Sequence, residues 1–280
     1  MCKSSKSKGF TLIELLIAMA ISGIVAGAIF TAFKSQQKSY LIQDQVAEMQ
    51  QNLRASMDIM ARDIRMAGYS QGAPGFGITD ILPRDIDNNV DGTITGNGAF
   101  EFTADFDNNG TLDGGETISY SVYDSPVLDP DGNPDLARGI SGVRQLLTEN
   151  IHALGFAYAF DADGNGILDT SPNGNIIWAN DTNANGDWDR LDLDDDGYIT
   201  AADGPGVGNN GIINGFDTGI PVNTNQIRAV RIWLLARSDT QDTNYIDTNT
   251  YVVGRRVITP NDNFRRRLLT STVRCRNMGL

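Results

Sequence analysis

Aspartate, asparagine and glycine recur through this 280-residue chain at spacings that would wrap a hard cation. A twelve-residue calcium loop offers oxygen ligands from its first, third, fifth, seventh, ninth and twelfth positions and turns sharply on a glycine at the sixth. The stretch Asp105-Phe-Asp107-Asn-Asn109-Gly110-Thr111-Leu-Asp113-Gly-Gly-Glu116 fills that template throughout, and its closing glutamate can bind bidentately. In Asp192-Leu-Asp194-Asp-Asp196-Gly197-Tyr198-Ile-Thr200-Ala-Ala-Asp203 only the last position departs, aspartate standing for glutamate. Asp181-Thr-Asn183-Ala-Asn185-Gly186-Asp187-Trp-Asp189-Arg-Leu-Asp192 runs into it and would share Asp192, which implies adjacent ions or one occupied site. Asp161-Ala-Asp163-Gly-Asn165-Gly166-Ile167-Leu-Asp169 fits for nine positions and then meets Pro172 at the twelfth. A fifth stretch, Asp87-Asn-Asn89-Val-Asp91-Gly92-Thr93-Ile-Thr95, lacks an acidic closing ligand.

These residue types also make ordinary turns, because they tolerate left-handed backbone angles. Turn chemistry accounts for one such loop, but poorly for four with the glycine in register. Charge agrees: residues 161–217 hold 12 acidic side chains against Arg190 alone, a net of −11. Carboxylates crowded in this way repel one another unless neutralised. The flanks of the first loop (Phe100 and Phe102 before, Ile118 and Tyr120 after) alternate as strands and not as paired helices. The expected role is a calcium staple in a β setting, not a sensor that opens a groove. Affinities of extracellular calcium modules can be as weak as about 10⁻⁴–10⁻³ M, so millimolar calcium outside the cell would suffice.

The rest of the composition narrows the choice. The chain carries 22 basic and 35 acidic residues, a net of −13, which argues against a nucleic-acid binder. The tail is the exception: from residue 220 onward ten arginines face four aspartates. That basic face is expected to pair with the acidic region or a neighbouring subunit, since aromatic interleaving for nucleic acid is missing. His152 stands alone in a strand-like run, with no motif supplying zinc ligands or a catalytic triad around it. Gly206-Val-Gly208-Asn-Asn-Gly211 follows an acidic loop instead of a strand and reads as a turn, not a dinucleotide site. No enzyme signature emerges.

The elements that must position these loops are of two kinds. Residues 10–33 form an unbroken apolar run of 24 residues after a short leader with Lys3, Lys6 and Lys8. As a helix rising about 1.5 Å per residue it spans a hydrocarbon core of about 30 Å, with the leader held on the cytoplasmic side by its lysines. Its one charge, Glu14, would cost about 2.5–3.5 kcal/mol at the centre of a membrane helix and so calls for a purpose. From Lys34 to Ala67 neither proline nor glycine intervenes, and Leu41, Val46, Met49, Leu53, Met57, Met60 and Ile64 recur at spacings of three and four. That is one apolar stripe on a continuing helix, which Gly68 ends. Beyond it, runs rich in Val, Ile, Leu, Tyr and Thr predict strands at 117–123, 151–160, 227–236, 250–258 and 268–274. A strand meander laid on the helix, with large loops inserted, is the expected head.

The run Lys8-Gly9-Phe10-Thr11-Leu12-Ile13-Glu14 resembles the class III signal of type IV prepilins, the subunits of type IV pili and the pseudopilins of type II secretion. The tail patterns I-R-A-V-R-I-W-L-L-A-R-S at 227–238 and R-R-R-L-L-T-S-T-V at 265–273 resemble the PilW minor pilins. The resemblance implies an α+β, type IV pilin-like fold: leader 1–9, membrane and filament-core helix 10–33, amphipathic continuation 34–68, and β head 69–280. It implies that a prepilin peptidase cuts after Gly9 and methylates Phe10, and that Glu14 is the assembly charge. Cys2 leaves with the leader, so Cys275 would be the one mature thiol, and calcium would replace the disulfide of other pilins. Implied partners are inner-membrane lipid, the inner-membrane assembly platform and other minor and major pilins. The implied protein sits in the inner membrane with its head in the periplasm, then at or near a pilus tip, where it primes assembly in a system serving adhesion and twitching motility. A type II secretion pseudopilin and a calcium-dependent tip adhesin are the alternatives.

Overall fold

The computed structural model describes residues 9–81, 100–123, 133–204, 212–213 and 215–279. The fifth acidic stretch at 87–95 and the glycine-rich stretch at 206–211 lie outside the described residues. One helix, α1 (Leu12–Met66), precedes a head built from β-strands, so the fold is α+β as expected. The chain divides into two compact units, Met1–Ala47 and Glu48–Leu280.

In the first unit Leu12, Ile13, Leu15, Leu16, Ile17, Met19, Ile21, Ile24, Val25, Ile29, Phe30 and Phe33 are all exposed. A helix apolar on every side is stable only in lipid or among other apolar helices.

In the second unit the helix buries Met49, Leu53, Met57, Met60 and Ile64 of the stripe read from the sequence, together with Ala61. Gly68 then takes a left-handed φ of +76°, and its N–H donates to the Thr103 carbonyl.

Among the described residues two large antiparallel sheets and a two-stranded hairpin stand where one meander is expected. The first has the order β1 (Ile78–Asp80), β2 (Phe100–Thr103), β3 (Thr117–Tyr123), β4 (Asp135–Ile140) and β5 (Val143–Thr148). Strands β1, β4 and β5 lie outside the strands expected from the sequence; β1 is three residues long and D-L-A-R-G-I in β4 has little β-branched content. The turn between β4 and β5, Ser141-Gly142, has positive φ at both residues (47° and 83°), the form that matches strand twist.

The second sheet runs in the order β13 (Arg266–Arg274), β10 (Ile227–Arg237), β6 (Ile151–Phe160), β7 (Ala179–Asn180), β8 (Asp187–Arg190), β9 (Phe216–Pro221). Strand β10 is buried almost without a break because both of its faces are covered. Val230, Ile232, Leu234 and Ala236 join the helix, Phe100, Phe102, Tyr158, Phe160 and Trp188 in the main core. Ala229, Trp233 and Leu235 face a second cluster with Trp178, Leu191 and Val253.

The stretch predicted as one strand at 250–258 is a hairpin of β11 (Tyr251–Val253) and β12 (Arg256–Ile258) that reverses at Gly254, whose φ is +60°. It lies close on β6, where a Cβ on Gly155 would stand 2.6 Å from the Gly254 nitrogen.

A polar tie fixes helix to sheet within this unit. Asp63 accepts from the Tyr120 hydroxyl and from Arg138 Nε, each at 2.6 Å. His152 lies on β6, where its Nδ1 accepts from Arg266 Nε at 2.8 Å. Burial and the nearby Arg266 and Arg237 push its pKa down to about 4, which keeps it neutral. Cys275 is fully buried in the main core, and burial raises its thiol to about 12.

Candidate metal centres

Each acidic loop leaves the end of a strand or bridge and turns back at once, so its first residue is anchored by the sheet. Asp105 follows β2, Asp161 follows β6, Asp181 follows β7, and Asp192 comes just after β8. All four are buried, at no more than 3% exposure, whereas Asp107, Asp163, Asn183 and Asp194 two residues later are exposed.

One hydrogen-bond scaffold repeats in all four loops. The first carboxylate accepts from the backbone N–H groups of the fifth and sixth residues. Asn109 and Gly110 donate to Asp105 at 3.0 Å each, and Asn165 and Gly166 donate to Asp161 at 3.0 and 2.9 Å. Asn185 and Gly186 donate to Asp181 at 3.1 Å each, and Asp196 and Gly197 donate to Asp192 at 3.2 and 2.9 Å. The fifth side chain accepts in turn from the seventh N–H: Thr111, Ile167, Asp187 and Tyr198 donate to Asn109, Asn165, Asn185 and Asp196 at 2.7–2.9 Å.

Backbone angles repeat as well. The fourth and sixth residues are left-handed in every loop: Asn108 and Gly110, Gly164 and Gly166, Ala184 and Gly186, Asp195 and Gly197. For Ala184 that conformation costs about 1–2 kcal/mol.

The loops differ in how they close. In the first and fourth the twelfth residue does it: Phe106 N–H donates to Glu116 Oε1 at 3.0 Å, and Leu193 N–H to Asp203 Oδ1 at 2.9 Å. In the other two the ninth does it, as Ala162 N–H donates to Asp169 Oδ2 at 3.0 Å and Thr182 N–H to Asp189 Oδ2 at 2.6 Å. Pro172 at the twelfth position is therefore no obstacle to the second loop. Asp192, read in the sequence as shared, gives both its oxygens to the fourth loop, and Asp189 closes the third. Asp113 accepts from Asn109 Nδ2 at 2.9 Å, and Thr200 N–H donates to Asp203 at 2.5 Å.

Three of these loops gather carboxylates into a set that a cation would fit. One carboxylate oxygen from each of Asp105, Asp107 and Glu116 lies within 4.8 Å of the other two, and the same holds for Asp161, Asp163 and Asp169 and for Asp192, Asp194 and Asp203. Partial loss of hydration within the loop raises the Asp194 carboxyl above its ordinary value, with Asp196, Asp203 and Asp192 adding like charge. Burial also opposes the Asp161 charge, but the backbone N–H groups of Gly166 and Asn165 outweigh it and lower that carboxyl. The donors in these sets are all oxygens, the choice of a hard cation and not of zinc or copper.

Basic residues touch the loops from outside. Arg228 approaches Asp161 at 3.9 Å, and Arg255 donates to the Thr182 carbonyl at 2.9 Å. Arg190 pairs with Asp195 at 2.6 Å, which Ser171 Oγ and Asn173 Nδ2 also reach, at 2.8 and 2.7 Å. Burial works against this charge, but Arg190, Ser171 and Asn175 hold the Asp195 carboxyl down to about 2. Asp195 was not singled out from the sequence, since it fills a position that carries no ligand.

At the N-terminus Gly9 and Phe10 precede α1, and Glu14 lies in its first turn. Thr11 N–H donates to Glu14 Oε2 at 2.8 Å, its hydroxyl does so at 2.8 Å, and Glu14 N–H donates back to Thr11 Oγ1 at 3.3 Å. This is a capping box. The sequence reading missed it, although T-x-x-E before an apolar run is its signature.

Comparison with known proteins bears on both ends of the chain. Residues 4–30 match the prokaryotic N-terminal methylation motif. Residues 121–277, more than half of the chain, match the family of the type IV pilus-assembly protein W. A type IV-like pilin from Thermus thermophilus is 12% identical over 82% of this chain and 97% of its own, with a TM-score of 0.33, too low to carry an argument. No curated protein matches significantly. Methylation motif, exposed apolar helix and β head agree: the chain belongs to the type IV pilus-assembly protein W family and is a membrane-anchored minor pilin of a type IV pilus.

Proposed function

We propose that this minor pilin carries a calcium-stapled head at or near the pilus tip, where it helps to prime assembly. It is cut after Gly9 and methylated on Phe10, and its exposed helix passes from the inner membrane into the filament core among other minor and major pilins. The prepilin peptidase and the inner-membrane assembly platform are its processing and assembly partners. Its role is structural.

The observation that carries the calcium reading is the scaffold repeated in four loops, each with a buried first carboxylate. Asp105, Asp107, Asn109, Thr111, Asp113 and Glu116 would hold the first ion. Asp161, Asp163, Asn165, Ile167 and Asp169 would hold the second, and Asp192, Asp194, Asp196, Tyr198, Thr200 and Asp203 the fourth, position seven giving its backbone carbonyl. Calcium supplies the positive charge that so many neighbouring carboxylates lack.

Calorimetric titration of the full chain in detergent micelles tests this, alongside thermal unfolding in calcium and in chelator. Several ions and a large upward shift are expected. Absence of binding at millimolar calcium would reduce the loops to acidic turns.

The adhesin reading keeps one observation in its favour: Ile167, Tyr198 and Phe216 are 64–68% exposed beside these loops. Deletion of residues 161–217 is a poor test of it, because Trp188 and Leu191 are fully buried. Ile167→Ser, Tyr198→Ser and Phe216→Ser together should instead abolish calcium-dependent attachment while pili still form.

A further inference from the structure

The third loop departs from the other three at one place. Its third residue is Asn183, where they have Asp107, Asp163 and Asp194. In the first and second loops the amide of the fifth residue leans on that aspartate: Asn109 Nδ2 donates to Asp107 Oδ2 at 2.9 Å and Asn165 Nδ2 to Asp163 Oδ2 at 2.8 Å. In the third loop the equivalent amide, Asn185 Nδ2, reaches instead to Asp217, at 3.1 and 3.3 Å from its two oxygens. Asp217 lies on β9, directly opposite Asp189 in the ladder with β8.

Two carboxylates are thus brought together across a strand pair. Asp189 is 1% exposed. Its Oδ2 takes the Thr182 N–H and hydroxyl, but its Oδ1 is buried with no hydrogen-bond partner. Asp217 is close enough to act on Asp189 as a neighbouring charge. A buried carboxylate oxygen without a donor, facing a second carboxylate, is costly unless the two share a proton or a cation lies between them.

We propose that Asp217 is the missing carboxylate of a divalent-cation site formed with Asp181, Asn185 and Asp189, so that this site is closed across two strands and not within one loop. The inference rests on the calcium reading of the other loops. It replaces Asp192 as a ligand of the third site and assigns Asp192 to the fourth alone. Ion binding there would clip β9 to β8, so this site fastens the outer edge of the second sheet.

The test counts calcium ions on the full chain in detergent by native mass spectrometry and calorimetry. Wild type should bind four among the described loops, Asp217→Asn three, and Asp192→Asn three instead of two. Adding Asn183→Asp to Asp217→Asn should restore the fourth ion, because it returns the carboxylate to its place in the loop. Hydrogen exchange in β9 should be slowed by calcium in wild type and not in Asp217→Asn.

An unchanged ion count and unchanged affinities in Asp217→Asn would overturn the inference and leave the calcium reading intact. The same holds if wild type binds only three and loses none on this substitution. No binding to wild type at millimolar calcium would overturn both.

Discussion

Asp107 offers a clean way to separate a calcium staple from an acidic turn. It is exposed, and the Asn109 N–H and amide that it accepts can turn to water, so Asp107→Ala should change stability in chelator by no more than about 0.5 kcal/mol. In calcium the outcome should differ. At free calcium ten times the dissociation constant, one site stabilises the fold by RT ln 11, about 1.4 kcal/mol. For a unit of this size each kcal/mol moves the melting temperature by about 2–4 °C, so the variant should melt about 3–6 °C below wild type in calcium. Asp105→Ala is the contrast: its carboxylate is fully buried and serves two N–H groups, so its loss should cost about 1–3 kcal/mol even in chelator. The calcium increment adds to that. Thermal unfolding of the three proteins in both conditions decides the matter. Equal destabilisation by Asp107→Ala with and without calcium would sink the reasoning.

Other outcomes follow from the ties described above. Removing the Asp63 carboxylate strands the half-buried Arg138 and the buried Tyr120 hydroxyl, so Asp63→Asn should lose about 1–3 kcal/mol in denaturant unfolding, and Tyr120→Phe less. Burial lowers the His152 pKa to about 4 from 6.5, with Arg266, Arg237 and Arg256 opposing its charge and Asp262 favouring it. Between those values the unfolded chain binds the proton and the folded chain does not, so stability should fall by about 3 kcal/mol as pH drops from 6.5 to 4. The difference between wild type and His152→Gln in chelator isolates that component, and a constant difference across the window would refute it. Glu14→Gln keeps the capping geometry and removes only the charge, whereas Glu14→Ala removes both. If charge is what assembly needs, both should be missing from sheared pili. Normal incorporation of Glu14→Gln would make the residue a helix cap and nothing more.

The amino-acid sequence determined what depends on neighbours in the chain. The membrane run, the prepilin resemblance and the loop templates were legible because each is complete within some two dozen residues. The loops are the clearest case. The first aspartate accepts from the fifth and sixth N–H groups where the fourth and sixth residues turn left-handed, and Asn, Asp or Gly announces it at every such place except Ala184. Strands β3 and β6 were found because their residues alternate or pack on both faces with β-forming side chains. Strands β7, β8 and β9 were not, because A-N, D-W-D-R and F-D-T-G-I-P carry turn residues, and they become strands only by pairing, β7 on β6, β8 on β7 and β9 on β8.

What only tertiary structure decided are the contacts between distant segments. Two large sheets in place of one meander, the Asp63 tie to Tyr120 and Arg138, the burial of His152 against Arg266, and Asp217 opposite Asp189 all join residues far apart in the chain. Local propensity carries no record of which strands will be neighbours. Sequence spacing could place four acidic loops, but the position of Asp217 opposite Asp189 follows from the pairing of β8 with β9, which no local pattern records.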